Sequence, residues 1–252
     1  MKSDLVRIHH KEYQDDLPFW LSIVENRDPI LEVGCGHGRV TLPLLIAGHE
    51  VTGVDIDLLA IQHLRRSLED EKRELQNRAR IIHLDISDFH PGQLFGAVII
   101  PCNTYSTFPQ GKRRAMVSAI FQMLKPGGVL GASMPNPIQV ERFHAELKEN
   151  GEQVGSELET TITHPETGFP VQVSSSLNAR KDRLVWDWIY DHLLPDGKVH
   201  REIQSAEHYL TNLDQYLKEL KGSGFGQIRQ LGDYDGSLFN EDSPYLILVG
   251  HK

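Results

Sequence analysis

The apolar positions of this chain recur with two different periods, and the period changes part-way along it. Over residues 12–26, Leu17, Trp20, Leu21 and Val24 fall three and four apart, which predicts a helix with one apolar face. Residues 31–33 then open a series of short apolar runs that alternate with amphipathic stretches. Strands are predicted at 50–55, 80–84, 96–101 and 129–134, with helices at 39–46, 58–76 and 113–124 between them. Pro43 sits in the first turns of its helix, where a missing N–H is tolerated, and Lys125-Pro126-Gly127-Gly128 stops the last helix. Strand runs as apolar as Ala97-Val98-Ile99-Ile100 belong to a parallel sheet covered on both faces.

The alternation ends near Pro135. A helix at 137–149 is followed by three β-like runs at 170–177, 183–193 and 199–204, the last two joined by an Asp196-Gly197 hairpin turn. Thr211 is placed to cap a helix running to Lys221, which Gly222-Ser223-Gly224 ends. Runs at 225–231 and 245–251 supply two further strands. The expectation is one α/β domain over 1–252, a doubly wound and mostly parallel seven-stranded sheet, carrying an antiparallel β cap inserted at about 135–210.

Composition narrows the function. The 252 residues are 39% hydrophobic and 24% charged, with a formal net charge of -9. No apolar run is long enough to span a bilayer, and Met1-Lys2-Ser3-Asp4 lacks the apolar core of a signal peptide, so a cytoplasmic protein without membrane contact is expected. Cys35 and Cys102 form no disulfide framework and no metal-ligand spacing, so no metal is expected. The negative charge disfavours nucleic acid as a partner. The densest basic cluster, Lys112-Arg113-Arg114, reads as a solvated helix face.

Candidate chemistry concentrates in Ile30-Leu31-Glu32-Val33-Gly34-Cys35-Gly36-His37-Gly38-Arg39, a strand, a glycine loop and a helix start. Its glycines fall as G-x-G-x-G, not in the G-x-G-x-x-G spacing of dinucleotide enzymes. Gly34, Gly36 and Gly38 let the backbone turn close to a ligand, with Cys35 as a small residue in a crowded loop. Glu32, just before the loop, repels phosphate and suits a cationic ligand. Asp55 follows roughly 20 residues after the loop, the offset at which a ribose is held, and can accept two hydroxyl hydrogen bonds. Its alternative is the N-cap of the next helix. Ile56 would offer an apolar surface to a purine. Asp85 is placed to accept from an exocyclic amine with Ile86 beside the ring, or alternatively to form an Asx turn closing its strand.

Together these residues resemble the class I S-adenosylmethionine-dependent methyltransferases. Residues 30–39 match the first motif of that family, 51–55 the ribose acid, 83–88 the adenine segment and Leu124-Lys125-Pro126-Gly127-Gly128 the turn before its fifth strand. Tyr13-(x)2-Asp16-Leu17-Pro18-Phe19, Gly232-Asp233-Tyr234-Asp235-Gly236-Ser237 and Asp242-Ser243-Pro244 are similar to bacterial small-molecule methyltransferases, a subgroup that includes amino-sugar N-methyltransferases. The resemblance implies a Rossmann-like sheet ending in an antiparallel hairpin. It also implies S-adenosylmethionine as cofactor, S-adenosylhomocysteine as product, and methyl transfer to nitrogen or oxygen of a small acceptor. Glu32, Gly34, Cys35, Gly36, Gly38, Asp55, Ile56, Asp85, Ile86, Pro101 and Asn103 would hold the cofactor.

Methyl transfer needs orientation more than covalent machinery, with a proton removed from some acceptors. Candidates for these roles are Tyr13, Asn103 and His192. Tyr13 can close over the methyl from the N-terminal helix, Asn103 with Tyr105 borders it, and His192, like His208, is a potential base. The segment after the fourth strand has no histidine near Thr107, unlike related sugar N-methyltransferases. Trp186 and Trp188 share a strand face and are expected to pack against the main domain, with substrate stacking by one of them as the alternative. A homodimer built on the meander is compatible with this reading. The competing functions are methyl transfer to protein or RNA and binding of the nucleoside without catalysis.

Overall fold

A strand buried along its whole length is covered on both faces, and β1 (Ile30–Val33) is such a strand even though it carries Glu32. A computed structural model describes residues 5–11, 13–150 and 156–252. The opening Met1-Lys2-Ser3-Asp4, on which the absence of a signal peptide was read, lies outside the described residues. Two helices, α1 (Leu5–Lys11) and α2 (Leu17–Val24), precede β1, and α3 (Thr41–Ile46), β2 (Val51–Asp55), α4 (Leu58–Glu69), α5 (Arg73–Arg78) and β3 (Ala79–His83) follow it. Next come the wholly buried β4 (Phe95–Ile100), α6 (Gln110–Met123), β5 (Leu124–Pro135) and α7 (Pro137–Asn150). Four strands follow, β6 (Glu157–Thr163), β7 (Pro170–Ala179), β8 (Arg183–Leu193) and β9 (Val199–Tyr209). The chain closes with α8 (Leu213–Ser223), β10 (Ile228–Leu231) and β11 (Tyr245–His251).

Two compact units result. The larger comprises Asp15–Ile138 and Thr211–Lys252. It holds a seven-stranded sheet in the order β10-β11-β5-β4-β1-β2-β3. The pairs from β5 to β3 are parallel, while β11 runs antiparallel to both β5 and β10. This is the Rossmann-like, doubly wound α/β sheet expected, with its terminal hairpin. One face is packed by Trp20 and Val24 of α2, Leu44 and Leu45 of α3 and Ile61 and Leu64 of α4. The other is packed by Met116, Val117 and Ile120 of α6 and Tyr216 and Leu220 of α8.

The smaller unit, Met1–Gln14 with Gln139–Leu210, carries a separate antiparallel sheet in the order β6-β7-β8-β9. Leu5 of α1 packs with Val171, Val173 and Tyr190, and Val140 and Leu147 of α7 pack with Ala179 and Leu184. Trp186 and Trp188 stack with centroids 5.6 Å apart. Among the described residues no helix is long and apolar enough to cross a membrane.

Several boundaries differ from the sequence expectation for definable reasons. The helix expected over 58–76 is two helices, because the buried stripe Ala60, Ile61, Leu64 and Leu68 runs out before the exposed Glu69-Asp70-Glu71-Lys72. Lys125-Pro126-Gly127-Gly128 bulges within β5, since Leu124 pairs Phe95 and the next pair is Val129 with Ala97. Asn212, not Thr211, caps α8, its side chain accepting from Gln215 N–H at 2.9 Å. β6 was not anticipated because nearly all its residues are exposed, so no alternation betrays it.

Candidate cofactor site

The carboxyl ends of β1 and β2 lie side by side, with β4 on the far side of β1, so the turn after β1 opens at the point where strand order reverses. Gly34 and Gly38 take φ values of +77° and +89° there. A Cβ on Gly34 would lie 2.7 Å from Thr104 Cγ2, and one on Gly38 2.3 Å from Leu64 Cδ1, so neither position accepts a side chain. The tight turn brings Gly36 N–H to Asp55 Oδ2 at 2.8 Å, while Asp57 N–H donates to Oδ1 at 2.8 Å. Both carboxylate oxygens are thereby fixed in direction and keep lone pairs for a ligand. The N-cap of α4 is Asp57, which accepts from Leu59 and Ala60 N–H, so the capping alternative for Asp55 does not apply.

Around Asp55 lies a cleft of about 220 Å³, lined by Val33, Gly34, Val54, Asp55, Ile56, Leu84, Asp85, Ile86, Thr104, Thr107 and Phe108. Ile56 is 68% exposed beside it, an apolar side chain left open to water. Asp85 Oδ1 accepts from Ser87 N–H and Ser87 Oγ–H at 3.0 and 2.6 Å, which hold its carboxyl below the ordinary range. The Asx turn weighed from sequence is therefore present, and Asp85 Oδ2 faces Lys112 Nζ at 3.4 Å. Glu32 is buried on β1 and accepts from Thr41 Oγ–H at 2.5 Å. Burial pushes its carboxyl up to about 8, against the Thr41 bond and the Arg39 charge, and the carboxylates of Asp55 and Asp16 add to the rise. Cys35 is buried, and desolvation drives its thiol far above its ordinary value.

After β4 the chain passes Pro101 and then two consecutive non-glycine residues in the left-handed region, Cys102 at φ +56° and Asn103 at φ +60°. Asn103 Oδ1 is buried without a hydrogen-bond partner, a costly state for an acceptor and one that a ligand donor would relieve. Arg39, from the end of the glycine loop, pairs with both oxygens of the fully buried Asp16 at 2.6 Å and also donates to Cys102 Sγ. Trp20 Nε1–H donates to the same Asp16 at 2.9 Å. The Asp16–Arg39 pair joins the start of α2, the glycine loop and the turn beside Asn103. Both residues stand in motifs quoted from the sequence, but their pairing is not legible there, because nothing local marks a pair 23 positions apart.

Tyr105 does not border the cleft. The short 3-10 turn over Thr104–Thr107 sends it into the core, fully buried, while Thr104, Thr107 and Phe108 face the cleft. Arg113 was read as part of a solvated basic face, but its side chain is buried against Glu219. Tyr13 and His192 belong to the smaller unit. Tyr13 is exposed in the link before α2 rather than on a helix. His192 is buried in β8, stacks on His164 at 4.2 Å and shares a 2.9 Å hydrogen bond with Thr167 Oγ. Its pKa is lowered by burial and by His164 and His200. His208 is buried in β9 and pushed down to about 4 by desolvation. A larger groove of about 520 Å³ contains none of the residues expected to hold the cofactor, but is lined by Pro18, Phe19, Tyr234, Asp235 and Gly236 from the motifs similar to bacterial small-molecule methyltransferases, together with Arg27, Arg229 and His251.

The cleft suits a nucleoside that carries a cation. Gly34 and Gly38 leave no room for a Cβ, the fixed Asp55 carboxylate suits a diol, and the unpaired Asn103 amide oxygen on the loop after β4 is an acceptor rather than a phosphate-binding donor.

Residues 30–128 match the family model described as a methyltransferase domain. The ribosomal RNA small subunit methyltransferase A of Mycobacterium sp. (strain KMS) is 39% identical over 71 residues, covering 28% of this chain and 24% of the relative. The chain thus spans about a quarter of the length of that relative. Similarity of structure extends further. An S-adenosylmethionine-dependent methyltransferase from Clostridium acetobutylicum superposes with a TM-score of 0.77 at 13% identity, covering 98% of this chain and 97% of the other. The sugar N-methyltransferase KedS8 from Streptoalloteichus sp. gives a TM-score of 0.75 at 17% identity, covering 100% and 93%. Residues 30–128 therefore match a methyltransferase domain, and the chain as a whole shares the fold of these methyltransferase structures.

Proposed function

We propose that this methyltransferase moves a methyl group from S-adenosylmethionine to a nitrogen or oxygen of a small-molecule acceptor. The observation that carries the reading is the Asp55 carboxylate, aimed by Gly36 and Asp57 N–H into a cleft whose other lining residues are apolar side chains, Asp85, Gly34 and two threonines. When bound, the cofactor supplies a sulfonium methyl already activated for in-line displacement. Asp55 accepts the two ribose hydroxyls. Ile56 and Ile86 give the purine an apolar seat, and Asp85 accepts from its exocyclic amine. Gly34, Cys35, Gly36 and Gly38 shape the turn beside the amino-acid portion, with Pro101 on the β4 side, and Glu32 compensates the positive charge. Asn103 Oδ1 accepts from a donor that enters the site, either the acceptor's N–H or O–H or the cofactor's ammonium. Tyr13 and His192 complete the proposed catalytic set, His192 as a base kept neutral near pH 7 by its burial.

A small acceptor is supported by the net charge of -9 and by the coverage pattern. The relationship to an enzyme named for ribosomal RNA is confined to 71 residues, whereas the likeness to a sugar N-methyltransferase spans the whole chain. A cytoplasmic enzyme is the reading, and the exposed Leu158, Val199 and Ile203 of the four-stranded sheet offer a surface for a homodimer. The test is transfer of labelled methyl from S-adenosylmethionine to panels of amino sugars, other small amines and alcohols, ribosomal RNA and protein. Turnover confined to small molecules supports the reading. Turnover only on RNA or protein, or binding without turnover on any panel, would replace it.

A further inference from the structure

The segment after β4 is held from the side away from the cleft by a buried ionic network that the methyl-transfer reading leaves without a role. Arg113 of α6 and Glu219 of α8 are both wholly buried and pair through two parallel bonds of 2.9 Å, from Nε to Oε2 and from Nη2 to Oε1. The remaining Arg113 nitrogen, Nη1, donates to the Phe108 carbonyl at 2.9 Å. Tyr105 O–H donates to Glu219 Oε2 at 3.3 Å, and Gln215 Nε2 to Oε1 at 3.3 Å. The guanidinium lies 4.8 Å from the Tyr216 ring centroid. A buried ion pair is seldom retained for stability alone, because well-packed apolar residues do as well or better. What this one adds is direction. Both anchored residues, Tyr105 and Phe108, lie in the stretch from Thr104 to Phe108, of which Thr104, Thr107 and Phe108 itself line the cofactor cleft.

We propose that Arg113 and Glu219 are positioning residues for the nucleoside half of the cofactor, acting through the Phe108 carbonyl and the Tyr105 hydroxyl to hold the Phe108 wall of the cleft in register. The inference rests on the reading of the cleft as a cofactor site. Removing the Glu219 charge leaves Arg113 buried without its counter-ion, so the guanidinium must shift, and the Phe108 carbonyl moves with it. Loss of the Phe108 ring should then harm binding little more than loss of Glu219 already has.

The experiment is a double-mutant cycle on binding of S-adenosylhomocysteine and of adenosine, using Glu219→Gln, Phe108→Ala and the double variant, with unliganded melting recorded for each. Each single variant is expected to weaken S-adenosylhomocysteine on the order of tenfold, with the same factor for adenosine, and the double variant no more than the weaker-binding single one. A purely structural role would lower the melting temperature and leave the two losses multiplicative. Multiplied losses, or a folded Glu219→Gln that binds as the wild type does, would overturn the inference. If Glu219→Gln does not fold, the same cycle is run with Tyr105→Phe, which keeps the ion pair and removes one hydroxyl. Its loss should also be non-multiplicative with Phe108→Ala, and an undiminished affinity would count against the inference. Wild-type protein that fails to bind S-adenosylhomocysteine would instead overturn the reading of the cleft.

Discussion

Asp55 carries the greatest chemical demand in the cleft, since one side chain organises the glycine turn and lines the cleft. On the proposed reading Asp55 accepts both ribose hydroxyls, so replacing it with alanine should weaken S-adenosylhomocysteine binding on the order of a hundredfold by calorimetry. An unchanged affinity would refute the assignment. Glu32 makes a second prediction. With its pKa at about 8 in the unliganded fold, it holds a proton at pH 7, and a cationic ligand beside it favours the ionised form. Binding at pH 7 should therefore release a proton, seen as an enthalpy that changes with the ionisation heat of the buffer. Glu32→Gln should abolish that dependence. The folded state binds this proton more tightly than the unfolded chain, whose value is near 4.5, so this group's contribution to stability is present at low pH and is lost as pH rises towards 8. The glycine turn and Asp55 were legible from sequence because their chemistry is local. Asp16–Arg39 and Arg113–Glu219 were not, because charges look alike on paper whether solvated or paired across 106 positions.

Elements were legible where burial imposes a period and illegible where it does not. The parallel strands announced themselves as apolar runs, while β6 on its exposed edge did not. The bulge in β5 reads as a helix stop from sequence, since Pro126 and the two glycines suit either geometry. Within the four-stranded sheet, β9 contains a titration that acid will expose. His208 is buried with its pKa lowered to about 4 by desolvation, against 6.5 for a free histidine. The unfolded chain takes up that proton first, so the stabilisation is fully present above pH 6.5 and is lost as pH falls towards 4. The melting temperature should drop over that window, and His208→Gln should flatten the drop. An unaltered slope in the variant would remove His208 from the explanation.

At the scale of the molecule, the chain divides its work between a parallel sheet that builds a nucleoside cleft and an antiparallel sheet inserted after α7 begins. The topology of the first was readable because alternating strands and helices admit few connections. The second was readable only as a meander, and three of its four strands were anticipated. Tyr13 and His192 show where sequence reasoning stops, because residues on an insert can be assigned to a strand or a link without revealing what they face. The central claim is that the Asp55 cleft takes a sulfur nucleoside and not a dinucleotide. Calorimetric titration with S-adenosylmethionine, S-adenosylhomocysteine and NAD tests it directly. Micromolar binding of both sulfur nucleosides and none of NAD is the predicted result, whereas binding of NAD, or of neither sulfur nucleoside, would contradict it.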